Sequence, residues 1–267
     1  SDQTLLDALS EHLPNDVYFS NQQLKRFCQQ GAVWVSEPLK HPQKHSKKTR
    51  VRRAKKKLQE GAEVSFYFNE TVLKAEILSP ALIEDCEDFS VWYKPKGVLS
   101  QGSKWGDHTT LNRWIETQYS FETPPEKRPC WIIHRLDKAT DGLMLIAHNK
   151  KSAQRLAHRF ETHQIGKTYQ AWVKGQFGEQ ARTFDQEVDG KPALSFARQL
   201  VYDADNQCSL VEVKIATGRK HQIRVHLSNA GFPIIGDRLY GDAQSGGPDL
   251  KLTAIEITFL SAQGTLE

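Results

Sequence analysis

The residues best suited to chemistry lie at 134–147, His-Arg-Leu-Asp-Lys-Ala-Thr-Asp-Gly-Leu-Met-Leu-Ile-Ala. A charged cluster containing Asp137 runs through Gly142 into the apolar pentapeptide Leu143 to Ala147. A carboxylate can attack an electrophilic carbon, stabilise a developing positive charge or accept a proton, provided its position is closely fixed. A strand covered on both faces fixes its own ends, so the pattern predicts a carboxylate presented at the edge of a rigid sheet.

The chain that must position it has 267 residues, 38% of them hydrophobic, enough for one large domain or a large and a small one with a proper core. No apolar run approaches the length of a membrane span, and the polar start Ser-Asp-Gln-Thr lacks the apolar core of a signal peptide. These features predict a soluble, cytoplasmic protein with no membrane partner. Cys28, Cys86, Cys130 and Cys208 stand far apart with no C-x-x-C pair, which predicts reduced thiols rather than a disulfide framework or zinc ribbon. The pairs His158/His163 and His221/His226 are five apart, where one helical face needs three or four, and no H-E-x-x-H occurs. No metal site is expected.

Charge is unevenly placed. Residues 40–57 hold ten Lys/Arg and no acid, so the other 249 residues carry 26 basic and 32 acidic groups. A field concentrated in this way attracts polyanions, because each neutralised phosphate releases condensed counterions. Nucleic acid is the expected partner, with Lys47, Lys48, Arg50, Arg52 and Arg53 as candidate contacts; a solvated basic loop is the alternative. Around the tract, Ser20 and Gln23 form a capping box, Leu24 and Phe27/Cys28 repeat at helical spacing, and Gly31 ends the helix before Ala-Val-Trp-Val. After it, Val64, Phe66 and Phe68 alternate with Ser65 and Tyr67 as in a half-buried strand. Helix, strand, linker and strand resemble the S4 RNA-binding module, with Ser36-Glu37-Pro38 in place of the usual Asn-Gly. This predicts a small α/β domain over residues 1–79.

From residue 88 the character changes. Phe89-Ser-Val-Trp-Tyr-Lys94 reads as a strand leading into a Lys-Pro-Lys-Gly97 turn. Beyond the Asp137 segment, Ala153, Leu156, Ala157 and Phe160 mark an amphipathic helix that Asn149 can cap, and Lys167 to Val173 returns to strand. Leu210 to Ile215 alternates as a strand, and a helix begins just past Thr217-Gly218 and ends at Gly231. The turn, the His134-Arg135-Leu136-Asp137 segment, Thr217-Gly-Arg219-Lys-His221-Gln222-Ile-Arg224-Val-His226 and Gly231-Phe-Pro-Ile-Ile-Gly236-Asp237 together resemble the motifs of the RluA-type pseudouridine synthases.

That resemblance implies a catalytic domain over 80–267, of mixed α+β class, with a long, largely antiparallel central sheet, flanking helices and a cleft across the middle. It implies Asp137 as catalytic aspartate, Tyr169 as active-site tyrosine and Arg224 as the basic residue paired with the aspartate. Arg135 matches an arginine that enters the RNA beside the flipped base, and His134, Arg219, His221 and Gln222 fall among the RNA-binding positions. The implied reaction converts uridine in rRNA or tRNA to pseudouridine, breaking the N1–C1′ bond and making C5–C1′ without redox change, so no cofactor is required. Loops and single strands are the expected targets, since unstacking costs least there. Asp141 stands where the family has serine, and a second carboxylate near Asp137 would raise the pKa of the first unless a cation intervened. Two further readings are a non-catalytic RNA-binding or ribosome-assembly factor, and a metal-dependent RNA hydrolase, for which ligands are lacking. Protein partners and the particular RNA are not legible.

Overall fold

The computed structural model describes residues 3–14, 16–39, 46–122, 125–244 and 246–259, so residues 40–45 of the basic tract lie outside it. Backbone contacts separate two units: the described residues through Ile77 with Gln101–Gln118, and Leu78–Ser100 with the described residues from Tyr119 onward. Residues 101–118, assigned from sequence to the second domain, thus cluster with the first unit. The physical reason is that helix α4 (Leu111–Gln118) buries Leu111 and Ile115, while Asp107 ahead of it engages Arg50 and Arg52.

In this first unit α1 (Leu5–Glu11) starts at a reciprocal cap between Thr4 and Asp7. Helix α2 (Asn21–Gln29) starts at the expected box, Gln23 N–H donating to Ser20 Oγ at 3.3 Å and Ser20 N–H to Gln23 Oε1 at 2.8 Å. Strand β1 (Val33–Ser36) lies between β2 (Thr49–Arg50) and β3 (Glu63–Phe66) in an antiparallel sheet, and α3 (Glu70–Leu73) adds one turn. Leu5, Leu9, Leu24, Cys28, Val33 and Val35 form the core. Phe68, expected on the buried face of the second strand, lies past its end and is 46% exposed, in ring contact with Phe19, Phe27 and Phe66.

The second unit is built on a nine-stranded sheet. Its strands are β4 (Ala81–Asp85), β5 (Phe89–Lys94), β8 (Trp131–Ile132), β9 (Asp141–Ala147), β10 (Ile165–Lys174), β11 (Arg182–Phe184), β12 (Ser195–Asp203), β13 (Cys208–Ile215) and β14 (Leu252–Phe259). A short hairpin, β6 (Phe121–Glu122) and β7 (Pro125–Glu126), stands apart. The order is β11-β12-β13-β10-β14-β9-β5-β4, with β8 added to β9. Every pairing in it is antiparallel except β14 with β9, so the mixed, largely antiparallel α+β class holds. Strand β9 is buried on both faces, Met144 to Ala147 being fully inaccessible. Leu145 and Ala147 pack with Leu156 of α5 (Lys150–Glu161), which Asn149 caps through Ser152 N–H at 2.7 Å. Helix α6 (Gln222–Asn229) begins three residues later than the sequence pattern predicts, leaving 217–221 as a loop.

Strand β14 joins the two halves of the sheet. Its Ala254 faces Tyr169 of β10 on one side and Gly142 of β9 on the other. Gly142 has φ +117°, and a β-carbon on it would lie 2.1 Å from the Ala254 carbonyl oxygen, so the parallel crossing admits no side chain there. Gly142→Ala is therefore expected to cost about 2–4 kcal/mol through strain and forced strand separation, measured by urea denaturation. An undiminished midpoint would show that the crossing relaxes freely.

Candidate active site

Asp137 lies four residues ahead of its strand, in the connection of the β8–β9 hairpin rather than at a strand end. Side chains and amides hold that connection instead. Ser100 Oγ donates to Leu136 O at 2.7 Å and accepts from Leu136 N–H at 2.9 Å, so one hydroxyl grips both backbone polar groups of the preceding residue. Gly97 N–H, at the end of the Lys-Pro-Lys-Gly turn, donates to Lys138 O at 2.8 Å, and Thr140 N–H donates to Asp137 O at 3.1 Å. Two backbone segments thus fix Asp137 on either side.

Arg224 is 5% exposed on α6, and its principal partner is Asp237, not Asp137. Nε and Nη2 donate to the two oxygens of Asp237 at 2.8 and 2.7 Å, a bidentate pair, while Nη1 lies 3.7 Å from Asp137 Oδ2. The expected pairing with Asp137 exists only as this longer contact. Burial raises the carboxyl pKa of Asp237, but the Arg224 bonds and the N–H groups of Leu239 and Tyr240 outweigh it and leave the carboxyl below its usual range. His221 Nε2 lies 3.6 Å from Asp137 Oδ2, and its Nδ1 is 2.9 Å from the Tyr240 hydroxyl. With Nε2–H turned to a carboxylate, Nδ1 accepts from the phenol. Burial lowers the His221 pKa, only partly opposed by Asp137, so the neutral ring is favoured. Its backbone is left-handed at φ 56°, a strained conformation for histidine. Neither Asp237 nor Tyr240 was singled out for a role from sequence, although Gly236-Asp237 was read as part of a motif.

A cleft of about 420 Å³ opens beside these groups. Tyr169 stands in it, at the point where the pairing of β10 with β14 skips one β14 residue, Ile255. Burial first, then Asp137, pushes its phenol pKa up, so the hydroxyl keeps its proton. His134 lines the cleft, lies tilted against the Phe160 ring at 4.8 Å between centroids and accepts from Leu145 N–H at 2.9 Å; burial holds it neutral, with a pKa lowered to about 3. Arg135 and Arg219 are exposed at the cleft, Arg219 Nε donating to Pro192 O at 2.9 Å. Gln222 does not reach outward. Its carbonyl oxygen accepts from Thr217 Oγ1 and Arg219 N–H, and its NH2 donates to Leu194 O and Ser195 Oγ, so it builds the 217–221 loop from within.

Asp141 is drawn away from Asp137. Its oxygens accept from Tyr93 at 2.8 Å and Thr253 at 2.7 Å, with Lys96 at 3.8 Å, and it ties β5, β9 and β14 together. In the first unit, Arg50 and Arg52 are both engaged by Asp107, and Arg50 also lies over the Trp34 ring. Lys47, Lys48 and Arg53 are exposed, Lys48 donating to Ser65 Oγ at 2.9 Å. The five basic candidates therefore divide into two structural arginines and three outward cations.

No helix among the described residues is long and apolar enough to cross a membrane, and among them no group of three or more His, Cys, Asp or Glu could hold a metal. A sequence profile of the RNA pseudouridylate synthase family matches residues 88–229, and the chain belongs to that family. It is 29% identical to an uncharacterised RNA pseudouridine synthase of Aquifex aeolicus, over 86% of this chain and 75% of the relative. To the ribosomal large subunit pseudouridine synthase D of Borreliella burgdorferi it is 31% identical, over 67% of this chain and 61% of the relative. The solved structure of human RNA pseudouridylate synthase domain containing 1 superposes with a TM-score of 0.58 at 25% identity, over 69% of this chain and 80% of that one.

The Arg224–Asp237 pair yields a stability prediction. Because the Asp237 carboxyl is held low, its contribution is complete above the unfolded value of about pH 4 and is lost as pH falls through the folded value. Asp237→Asn is expected to cost about 3–5 kcal/mol at pH 7, leaving a buried guanidinium without its main partner. Its denaturation midpoint should also fall less steeply than the parent's below pH 4, as followed by urea titrations across pH. A parallel acid profile in parent and variant would remove Asp237 as the origin.

Proposed function

We propose that this chain isomerises uridine to pseudouridine in rRNA or tRNA, at a loop or single-stranded site, with Asp137 as the catalytic carboxylate. The observation that carries this reading is the convergence of Asp137, Tyr169 and Arg224 on one cleft, in a chain of the RNA pseudouridylate synthase family. Asp137 is the one acid among the described lining residues, against the cations Arg135, Lys167, Arg219, Lys220 and Arg224. A cationic cleft with a single carboxylate suits a polyanion whose sugar carbon must meet a negative group.

The chemistry follows from those placements. Asp137, faced by Arg224 and neutral His221, attacks or stabilises C1′ as the N1–C1′ bond breaks. The Tyr169 ring packs on the detached uracil while it turns to present C5. After C5–C1′ forms, the C5 proton leaves and N1 gains one, so atoms balance with no group lost. Because the phenol stays protonated, its hydroxyl can relay that proton but is a poor phenolate base. The first unit, with α2, β1 and β3 around the basic tract, serves as an S4-like RNA-binding module. Its exposed Lys47, Lys48 and Arg53 meet phosphates, and the chain works in the cytoplasm.

Three outcomes are expected. Asp137→Asn keeps shape and removes charge, so pseudouridine formation should fall almost completely while fold and RNA affinity persist; wild-type pseudouridine levels in the RNA of cells carrying this variant would leave an RNA-binding factor in place of the enzyme. Tyr169→Phe should retain binding and lose turnover to the extent that the hydroxyl relays a proton, whereas Tyr169→Leu should lose both; full activity of the leucine variant would reduce the ring to a core residue. Changing Lys47, Lys48 and Arg53 to Gln should weaken binding to single-stranded RNA and flatten its salt dependence by ~0.7 log units per lost contact, with thermal stability unchanged. Arg50→Gln and Arg52→Gln should instead lower stability by breaking the Asp107 pairs. An unaltered salt slope in the triple variant would make the tract a solvated linker.

A further inference from the structure

Lys167 has so far entered only as one of the cations that line the cleft. It stands on β10 two residues before Tyr169, and both side chains line the cleft while Thr168 between them turns away to donate to Glu256 at 2.7 Å. Its ammonium lies 5.3 Å from the centroid of the Phe160 ring and against Gly218, where a β-carbon would sit 3.6 Å from Nζ. Among the described residues no carboxylate, carbonyl or hydroxyl accepts a hydrogen bond from it. Lys167 is half-buried, whereas the fully buried arginines are paired: Arg224 with Asp237, and Arg128 with Asp85 and Glu126. Buried Lys94 donates to Pro95 O and Val98 O at 3.2 and 3.0 Å. A half-buried ammonium in a cleft without a protein acceptor has lost part of its hydration with no partner to offset it. Burial accordingly lowers its pKa to about 8. An anion entering the cleft would remove that cost.

The spacing indicates which anion. Positions two apart on a strand are ~7 Å apart along one face. That is roughly the reach from a base packed on Tyr169 to a phosphate of the same strand. Arg219 and Lys220 line the same cleft, so the local field favours a backbone phosphate over a neutral carbonyl. We propose that Lys167 forms a phosphate subsite inside the cleft, binding a phosphodiester of the strand that delivers its base to Tyr169. This rests on the reading of RNA as substrate. The base and the backbone charge of the strand would then both be read by one face of β10, the base by Tyr169 and the charge by Lys167.

The test uses the full chain carrying Asp137→Asn, so that turnover does not intervene, and a fluorescent oligouridylate whose binding is followed by anisotropy between about 50 and 200 mM salt. Lys167→Met keeps the length and the apolar packing on Phe160; it should bind about tenfold more weakly, with the salt slope reduced by ~0.7. Lys167→Arg should stay within about twofold of the parent in affinity and keep its slope. Circular dichroism checks folding, and Lys167→Gln replaces the methionine variant should that one not fold. A folded Met or Gln variant with the parent's affinity and slope overturns the proposal, reducing Lys167 to a cap on Phe160. Weaker binding with an unchanged salt slope also overturns it, assigning the ammonium to a neutral uracil oxygen. Absence of oligouridylate binding in the protein with Lys167 intact fails the RNA reading itself, and the subsite with it.

Discussion

The buried bidentate pair of Arg224 and Asp237 is the interaction on which the site depends. Each ion loses several kcal/mol of hydration on burial, and mutual attraction restores that only with good geometry and satisfied remaining lone pairs. Both conditions hold, since Asp237 Oδ1 also accepts from Leu239 N–H at 2.9 Å and Tyr240 N–H at 3.0 Å. The pair locks α6 to the 236–240 turn, and that turn is possible because Gly236, at φ +82°, lies where a β-carbon would come within 2.2 Å of Asp249 O. With two of its nitrogens committed, Arg224 can turn only Nη1 toward Asp137. Tyr240, set by the same turn, places its ring 5.1 Å from the Arg224 guanidinium and its hydroxyl on His221. One ion pair therefore orients both groups that face the candidate catalytic carboxylate.

Around this pair the positioning is done by neutral groups. Ser100 grips the peptide before Asp137, Gln222 fills the 217–221 loop with four hydrogen bonds, and His134 accepts a strand amide. Neutral hydrogen bonds fix geometry without adding charge to a poorly solvated cleft. The remaining charges keep their effect: a single carboxylate and a set of cations, one of them Lys167 without an internal acceptor. Such a charge distribution favours a polyanion over a neutral ligand.

Much of this was legible from the chain. The Ser20–Gln23 cap, the Asn149 cap, the alternation of 210–215 and the apolar run after Gly142 are local signals, and local hydrogen bonding and periodicity act wherever the chain sits. Asp137, Tyr169 and Arg224 were legible as candidates through the resemblance of the surrounding motifs to those of the pseudouridine synthases. Strand β14 was not singled out, although Leu252-Thr-Ala-Ile-Glu-Ile-Thr-Phe alternates in the manner of a strand and could have been found.

What only the tertiary structure decided are the pairings between residues distant in sequence. Which carboxylate holds Arg224 depends on the return of the chain at Gly236, not on the spacing of the Arg224 motif. Asp141, a possible competitor of Asp137 by proximity in sequence, is turned aside because Tyr93 and Thr253 from neighbouring strands claim both its oxygens. Arg50 and Arg52, part of one basic run, differ from Lys47 and Arg53 because Asp107, far along the chain, folds back onto the first two. Sequence fixes residue types and the local periods that form elements; partners are set by strand order and by turns that bring distant side chains within a hydrogen bond's reach, where distance and burial decide the electrostatics.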